Sequence, residues 1–287
     1  MSTPATFDPH KAPSNNDAVP LGIIYDTVII SDADDNLVPG LATEWGFSDD
    51  GSTFTLTLRD GATFHDGTPV DAAAIKANIE RAETVDGSMV AGSYAAVTSI
   101  DTPSDTEVVL HLDGGGVTLP STLSGLAGMI INPADFDSPD LDLLGSGSGM
   151  YQIARHEKDS RIVFDRYEDY WDPAAAQAAH IELLIQPDAA ARVNSLISGQ
   201  VDVAARVSPD VYGQAAAADN VVLYEKATTE FWHFWMNRSA VLEDPLVREA
   251  IAHAIDKEGI VAAALQGRGV VAHQAVPESS PFFADEL

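Results

Sequence analysis

Cysteine is absent from the 287 residues, which excludes disulfides, thiolate metal sites and a cysteine nucleophile. Basic residues are scarce: 15 Lys and Arg stand against 44 Asp and Glu, for a formal net charge of −29. That balance argues against a nucleic-acid partner, which needs a basic footprint. The acidic charge is spread in short clusters such as Asp32-Ala33-Asp34-Asp35 and forms no long run. It reads as a solvated surface, of a salt-rich habitat or of an alanine-rich, lysine-poor proteome, before it reads as an acidic docking surface. No apolar run approaches a membrane span. The opening Met1-Ser2-Thr3-Pro4 has neither the basic start nor the apolar stretch of a secretion signal. The eight His include no His-Glu-x-x-His and no tight metal spacing, and no Gly-x-Ser-x-Gly elbow occurs. What remains is a chain with 45% hydrophobic residues, enough for a core and long enough for two or more compact units.

The most ordered signal lies in residues 45–70. Asp50-Gly51, Asp60-Gly61 and Asp66-Gly67 mark three tight turns, because Gly accepts positive φ and Asp bonds the nearby backbone. Between the first two, residues 53–59 alternate Phe54, Leu56 and Leu58 with Thr53, Thr55, Thr57 and Arg59, the period of a half-buried strand. Asp71 is placed to cap a helix over residues 72–83, with Ile75 and Ile79 one turn apart.

The same stretch resembles the signature of the solute-binding proteins of peptide and nickel ABC importers. The match runs through Pro39, Gly40, Leu41, Ala42, Trp45, Ser48, Asp50, Gly51, Phe54, Leu56, Arg59, Gly61, Phe64, His65, Asp66, Gly67 and Pro69. Phe7-Asp8-Pro9-His10, Gly147, Gly149 and Tyr151, Arg166 with Tyr170-Trp171, Gly199-Gln200-Val201-Asp202-Val203-Ala204, and Val247-Arg248-Glu249-Ala250 through Ala254-Ile255-Asp256-Lys257 extend it along the chain. Two departures are Met150 and Tyr167, where the family has Pro and Asn. The resemblance implies an α/β protein, a type II periplasmic-binding-protein-like lobe carrying an inserted α+β subdomain, with the second lobe incomplete. Residues 1–35 and 150–240 are expected to form the lobe, 36–149 the insertion, and 241–287 the start of the second lobe. The chain is accordingly expected to be a fragment, with a leader or first strand missing before it and the apolar helix faces after residue 244 exposed.

Other elements follow from pattern. Residues 21–30 read as a buried helix or strand, 94–100 as loop or strand, and 106–112 as a strand with Val108, Leu110 and Leu112 inward. Residues 119–129 form a small-residue helix candidate, and the Gly-rich 145–149 a hinge or crossover, since no Gly-Lys-Ser/Thr follows to make a phosphate loop. Strands are expected at 151–155, 161–166, 181–186 and 221–224, with a helix capped by Asp188 and stopped by Gly199. The strand–helix–strand alternation here predicts a partly parallel sheet. Asp244-Pro245 opens another helix and Asp256 the next.

Candidate binding residues are Tyr25, Trp232, Trp235, Asn237 and Arg248. The resemblance puts Tyr25 and Asp26 near the cleft, where packing is the competing role. It puts residues 231–237 on a segment crossing past the ligand; for Trp232 and Trp235 core and cleft stay open. Arg248, near a helix N-terminus, needs an acceptor: a structural carboxylate first, a ligand carboxylate second. His65-Asp66 is the nearest approach to an acid–base pair, but neighbours in a strand point apart and in a turn cap backbone, so it reads as structural. No catalytic residue, metal ligand or cofactor is assigned. The expected function is therefore capture of a peptide-like solute between two lobes and delivery to ABC permease subunits, outside the cell membrane, with membrane association only through the transporter or a missing lipid anchor. The alternatives are a nickel or other metal chelate, haem or an oligosaccharide as ligand, a sensory module of the same fold, or a hydrolase using His65 and Asp66.

Overall fold

The computed structural model describes residues 3–13, 18–225, 233–274 and 283–284. The chain divides into two compact units, Ser2–Ile185 and Gln186–Leu287.

In the first unit, helix α1 (Ala18–Ile24) is followed by the short antiparallel pair β1 (Ile29–Ser31) and β2 (Leu37–Pro39). Residues 21–30 thus hold both a helix end and a strand. Next come β3 (Ala42–Phe47), β4 (Thr53–Leu58), helix α2 (Ala72–Thr84), β5 (Val97–Ser104) and β6 (Glu107–Leu112). The strands form one antiparallel sheet in the order β3-β4-β6-β5. The period of two in β4 does what it predicts: Phe54, Leu56 and Leu58 are buried in a core shared with Val108, Leu110 and, from α2, Ile75 and Ile79. Each such side chain contributes roughly 1.5–3 kcal/mol by leaving water. Asp71 caps α2, accepting from the Ala74 amide.

Residues 119–129 do not make the single helix expected. Helix α3 covers only Leu119–Thr122, and a separate 3-10 turn runs Leu126–Gly128. The break lies where the chain folds back on itself: a Cβ on Gly128 would sit 1.9 Å from the Leu123 carbonyl oxygen. Helix α4 (Leu141–Leu144) precedes β7 (Tyr151–Glu157), β8 (Arg161–Arg166) and β9 (His180–Leu184), an antiparallel sheet in that order. This sheet buries Ile162 and Phe164 with Phe7, Leu21 and Ile24. β9 pairs with β8 and shares no sheet with β4.

The second unit holds α5 (Ala189–Ile197), α6 (Pro209–Ala216), α7 (Pro245–Ala254) and α8 (Lys257–Ala264). Asp188, Asp244 and Asp256 cap three of them through the amides of Ala191, Leu246 and Gly259. Its core is small, Val193, Val211 and Ala215, with Ala189, Ile197 and Leu223 against it. The partly parallel sheet is not found. All pairings among the described strands are antiparallel, and residues 221–224 form no strand. Alternation supplies a face, but a strand also needs a neighbouring ladder, and no described strand of this unit offers one. Helices α7 and α8 have no buried residue; Leu246 and Ile260 are exposed, and Val247, Ile251 and Val261 half-buried.

Candidate functional site

The Gly-rich crossing at residues 145–149 is tied down, not hinge-like. The Gly149 amide donates to the Ile24 carbonyl at 3.0 Å, the Asn132 amide to Ser146, and the His65 amide to Gly147. A Cβ on Gly147 would lie 2.1 Å from the Ile24 oxygen, and one on Gly149 2.6 Å from the Ile24 carbonyl carbon. The glycines are there so that backbone can lie against the end of α1.

That crossing accounts for His65 and Asp66. The His65 Nε2–H donates to the Gly149 carbonyl at 2.9 Å, which fixes the tautomer. Burial holds its pKa below the ordinary value, so the ring is neutral. Asp66 closes the next turn: one oxygen accepts from the Thr68 amide and hydroxyl, the other from Asn132. Burial acts to raise its pKa, and these hydrogen bonds outweigh it and hold the carboxyl below the usual range. Both side chains are spent on backbone and turn, and no described residue orients the imidazole toward a nucleophile.

Two buried ionic clusters stand in the first unit. Asp8, from Phe7-Asp8-Pro9-His10, takes a bidentate pair from Arg81 of α2, at 3.1 and 2.6 Å. Burial opposes ionisation of Asp8, but Arg81 and His10 hold its pKa down. Arg81 also donates to His10 Nδ1 at 2.9 Å. Burial first, then the Arg81 charge, depress the His10 pKa to about 4. The second cluster centres on Asp26, only 9% exposed. Tyr170 donates to one of its oxygens at 2.8 Å, and Trp171 Nε1 and Ser148 to the other at 3.0 and 3.3 Å. Burial nevertheless raises the Asp26 pKa to about 6, against those donors and the Arg59 charge. Arg59 donates to the Gly40 carbonyl and lays its guanidinium 3.4 Å from the Trp171 ring centroid. The pattern of β4 put Arg59 on the outward face with the threonines; the strand ends at Leu58, which frees it to stack instead.

The candidate binding residues fall in different places. Tyr25 is packed: its hydroxyl donates to Phe7 O and accepts from the Ser146 amide, and burial raises its pKa. Trp232 lies outside the described residues. Trp235 is 86% exposed and Phe234 80%, with Asn237 also exposed. His233 meets the Trp235 ring edge-on at 4.8 Å. Arg248 has no carboxylate partner among the described residues. It donates to the carbonyls of Leu242 and Glu243, the turn just before its own helix, at 2.7 and 2.9 Å. Acceptance by those two carbonyls is how a cation is tolerated near the α7 N-terminus. Among the described residues no three His, Asp or Glu are arranged to hold a metal ion. No described helix is long and apolar enough to cross a membrane.

Comparison with known proteins gives one family. The profile of the bacterial extracellular solute-binding proteins, family 5 (middle), matches residues 36–287. A glutathione-binding protein, GsiB of Salmonella paratyphi A, is 27% identical over 278 residues, covering 96% of this chain and 54% of its own length. The dipeptide-binding protein of Escherichia coli K12 is 25% identical over 277 residues, covering 88% of this chain and 52% of its own length. Among solved structures, NikZ of Campylobacter jejuni in complex with Ni(L-His) superposes with a TM-score of 0.87 at 21% identity, over 96% of this chain and 56% of that one. The dipeptide-binding protein of Pseudoalteromonas sp. SM9913 in complex with Met-Leu gives 0.83 at 21%, over 96% and 60%. The fold is thus the mixed α/β fold of type II periplasmic binding proteins. The chain spans about half the length of the curated relatives it matches.

Proposed function

Since this chain belongs to the bacterial extracellular solute-binding proteins of family 5, we propose that it is part of the substrate-binding component of an ABC importer, capturing a peptide-like solute and presenting it to the permease subunits. The peptide class rests on the glutathione- and dipeptide-binding relatives. The observation that carries the reading in this chain is the segment of residues 233–237. An indole 86% exposed, beside an exposed Phe234, is apolar surface that a partner should cover. Asn237 two residues on offers both a donor and an acceptor, as an amide backbone requires. Trp232 is a further candidate for binding on this proposal; Tyr25 and Arg248 support the scaffold. On the same reading residues 36–149 are an inserted subdomain, 1–35 with 150–240 the lobe that carries it, and 241–287 the opening of a second lobe. The separation of the β3–β6 sheet from the β7–β9 sheet supports that division. The protein acts outside the cell membrane and reaches the membrane through the transporter.

The protein binds its solute without transforming it, because His65 and Asp66 are committed to the turn and crossing they hold. Calorimetric titration with di- to tetrapeptides, glutathione, oligosaccharides and a nickel–histidine chelate tests the proposal. Saturable binding of peptides, weakened at least tenfold in Trp235→Ala with an unchanged melting temperature, is expected; a loss of about 1.4 kcal/mol corresponds to that factor. Binding of a sugar or chelate alone, or equal affinity in Trp235→Ala, overturns it.

A further inference from the structure

Most arginines of this protein are already committed to partners of their own. Arg81 is committed to buried Asp8, and Arg59 to the Trp171 ring. Arg192 and Arg248 are turned onto backbone carbonyls, and Arg161 is shared between Glu157 and Glu182. Arg155, Arg166 and Arg268 each pair with a surface glutamate, and Arg206, Arg238 and five lysines complete the positive charge of the sequence. Little is left to neutralise a surface that carries most of the 44 carboxylates.

Those carboxylates stand in close groups with no cation between them. Asp34 and Asp35 occupy the turn that the Asp32 carboxylate closes through the amides of Asp34 and Asn36. Asp49 adjoins Asp50 in the turn between β3 and β4. Asp135, Asp137, Asp140 and Asp142 fall in one stretch without a Lys, Arg or His among them. On the outward face of the four-stranded sheet, Glu44, Thr57 and Glu107 form one row across three adjacent strands. Two strand spacings put the two glutamates about 10 Å apart. Aspartate outnumbers glutamate 30 to 14, so most of these charges sit on a short stem that cannot swing far from its neighbour.

The range of such repulsion is set by the medium. The Debye length is about 10 Å in 0.1 M salt and about 3 Å in 1 M. Carboxylates in one turn or one sheet row therefore repel at ordinary ionic strength and are screened from each other in molar salt. A net charge of −29 on 16652 Å² of accessible surface adds a self-repulsion that opposes the compact state. The second unit, whose core is Val193, Val211 and Ala215, has the least apolar burial to set against it. We propose that molar monovalent salt is a condition of the folded state, and that the protein is built to work in a salt-rich medium. The proposal concerns the surface alone and is independent of which solute is bound.

The test is thermal unfolding of the 287-residue chain, followed by circular dichroism at pH 7.5 in KCl from about 0.1 to 3 M. Two controls separate screening from general exclusion effects. One replaces KCl by sucrose of equal osmolality. The other is a variant with exposed Asp34, Asp35, Asp49, Asp137, Asp202 and Asp219 changed to Asn, none of whose side chains has a hydrogen bond or ion pair. The expected result is a midpoint about 10 °C or more higher at the top of the KCl range, with a smaller rise in sucrose. The variant should melt higher than the wild type in 0.1 M KCl and show a shallower dependence on KCl. A midpoint independent of KCl, an equal rise in sucrose, an unchanged slope in the variant, or no cooperative transition at any KCl concentration overturns the proposal.

Discussion

Asp26→Asn isolates the buried carboxylate at the meeting point of the α1–β1 connection and the β8–β9 connection. The group has a folded-state pKa of about 6 against 3.8 outside the fold. A folded pKa above the unfolded one means that the folded state binds the proton more readily. Its full stability is present below pH 3.8 and is lost as pH rises toward and through 6. A shift of about two units corresponds to roughly 3 kcal/mol at about 1.4 kcal/mol per unit. Asparagine cannot ionise, so the variant lacks this slope. It also changes the hydrogen bonds from Tyr170, Trp171 and Ser148, an offset between the two proteins on which the pH dependence is superposed. The difference between the two proteins therefore carries the signal, because Asp8, His10 and every other titrating group cancel. Urea unfolding of both proteins from pH 4 to 8 should show the variant gaining on the wild type by about 3 kcal/mol across that range. Parallel curves would refute the buried-carboxylate argument. A variant that loses ground as pH rises would show that the three donors and Arg59 outweigh burial and hold Asp26 ionised.

Further outcomes follow from the same geometry. Arg81→Met leaves Asp8 buried without its partner and should cost about 3–5 kcal/mol in urea unfolding, whereas a surface pair such as Lys76–Glu80 should cost under 1 kcal/mol when Lys76 is changed to Met. His10 is depressed to about 4, so its neutral form favours folding above pH 6.5 and that contribution falls as pH drops toward 4; His10→Gln should flatten the acid limb of stability. Gly147→Ala must displace the Ile24 carbonyl and should destabilise by about 1–3 kcal/mol, while Gly22→Ala, open on every side in α1, should stabilise by about 0.5–1 kcal/mol. Melting curves that rank these two glycines the other way would contradict the close-approach account. Asp71→Ala removes the α2 cap and should cost about 1 kcal/mol.

What could be read in the sequence was local. The caps at Asp71, Asp188, Asp244 and Asp256 and the alternation of Phe54, Leu56 and Leu58 are decided within a few residues, and the structure has them where the pattern puts them. The Asp26 cluster was illegible because its partners lie 122 to 145 residues away, and no local pattern joins Tyr25-Asp26 to Tyr170-Trp171. At Gly145–Gly149 the sequence leaves hinge and crossover open for a different reason. A glycine kept for flexibility and one kept for close backbone approach are the same letter, and only the neighbouring Ile24 carbonyl distinguishes them. Residues 221–224 have the composition of a strand, but composition does not supply the ladder. The carbonyls of Leu242 and Glu243 that Arg248 takes in place of a structural carboxylate carry no sequence signature.

On the proposed function, this chain holds a peptide-like solute and returns it unchanged. Equilibrating the protein with a dipeptide and with glutathione, separating bound from free, and weighing the recovered solute by mass spectrometry tests it in one measurement. Intact peptide recovered from the protein, with His65→Ala retaining as much apart from any loss of folded protein, is the predicted result. Cleaved peptide that accumulates with time and disappears in His65→Ala would contradict it.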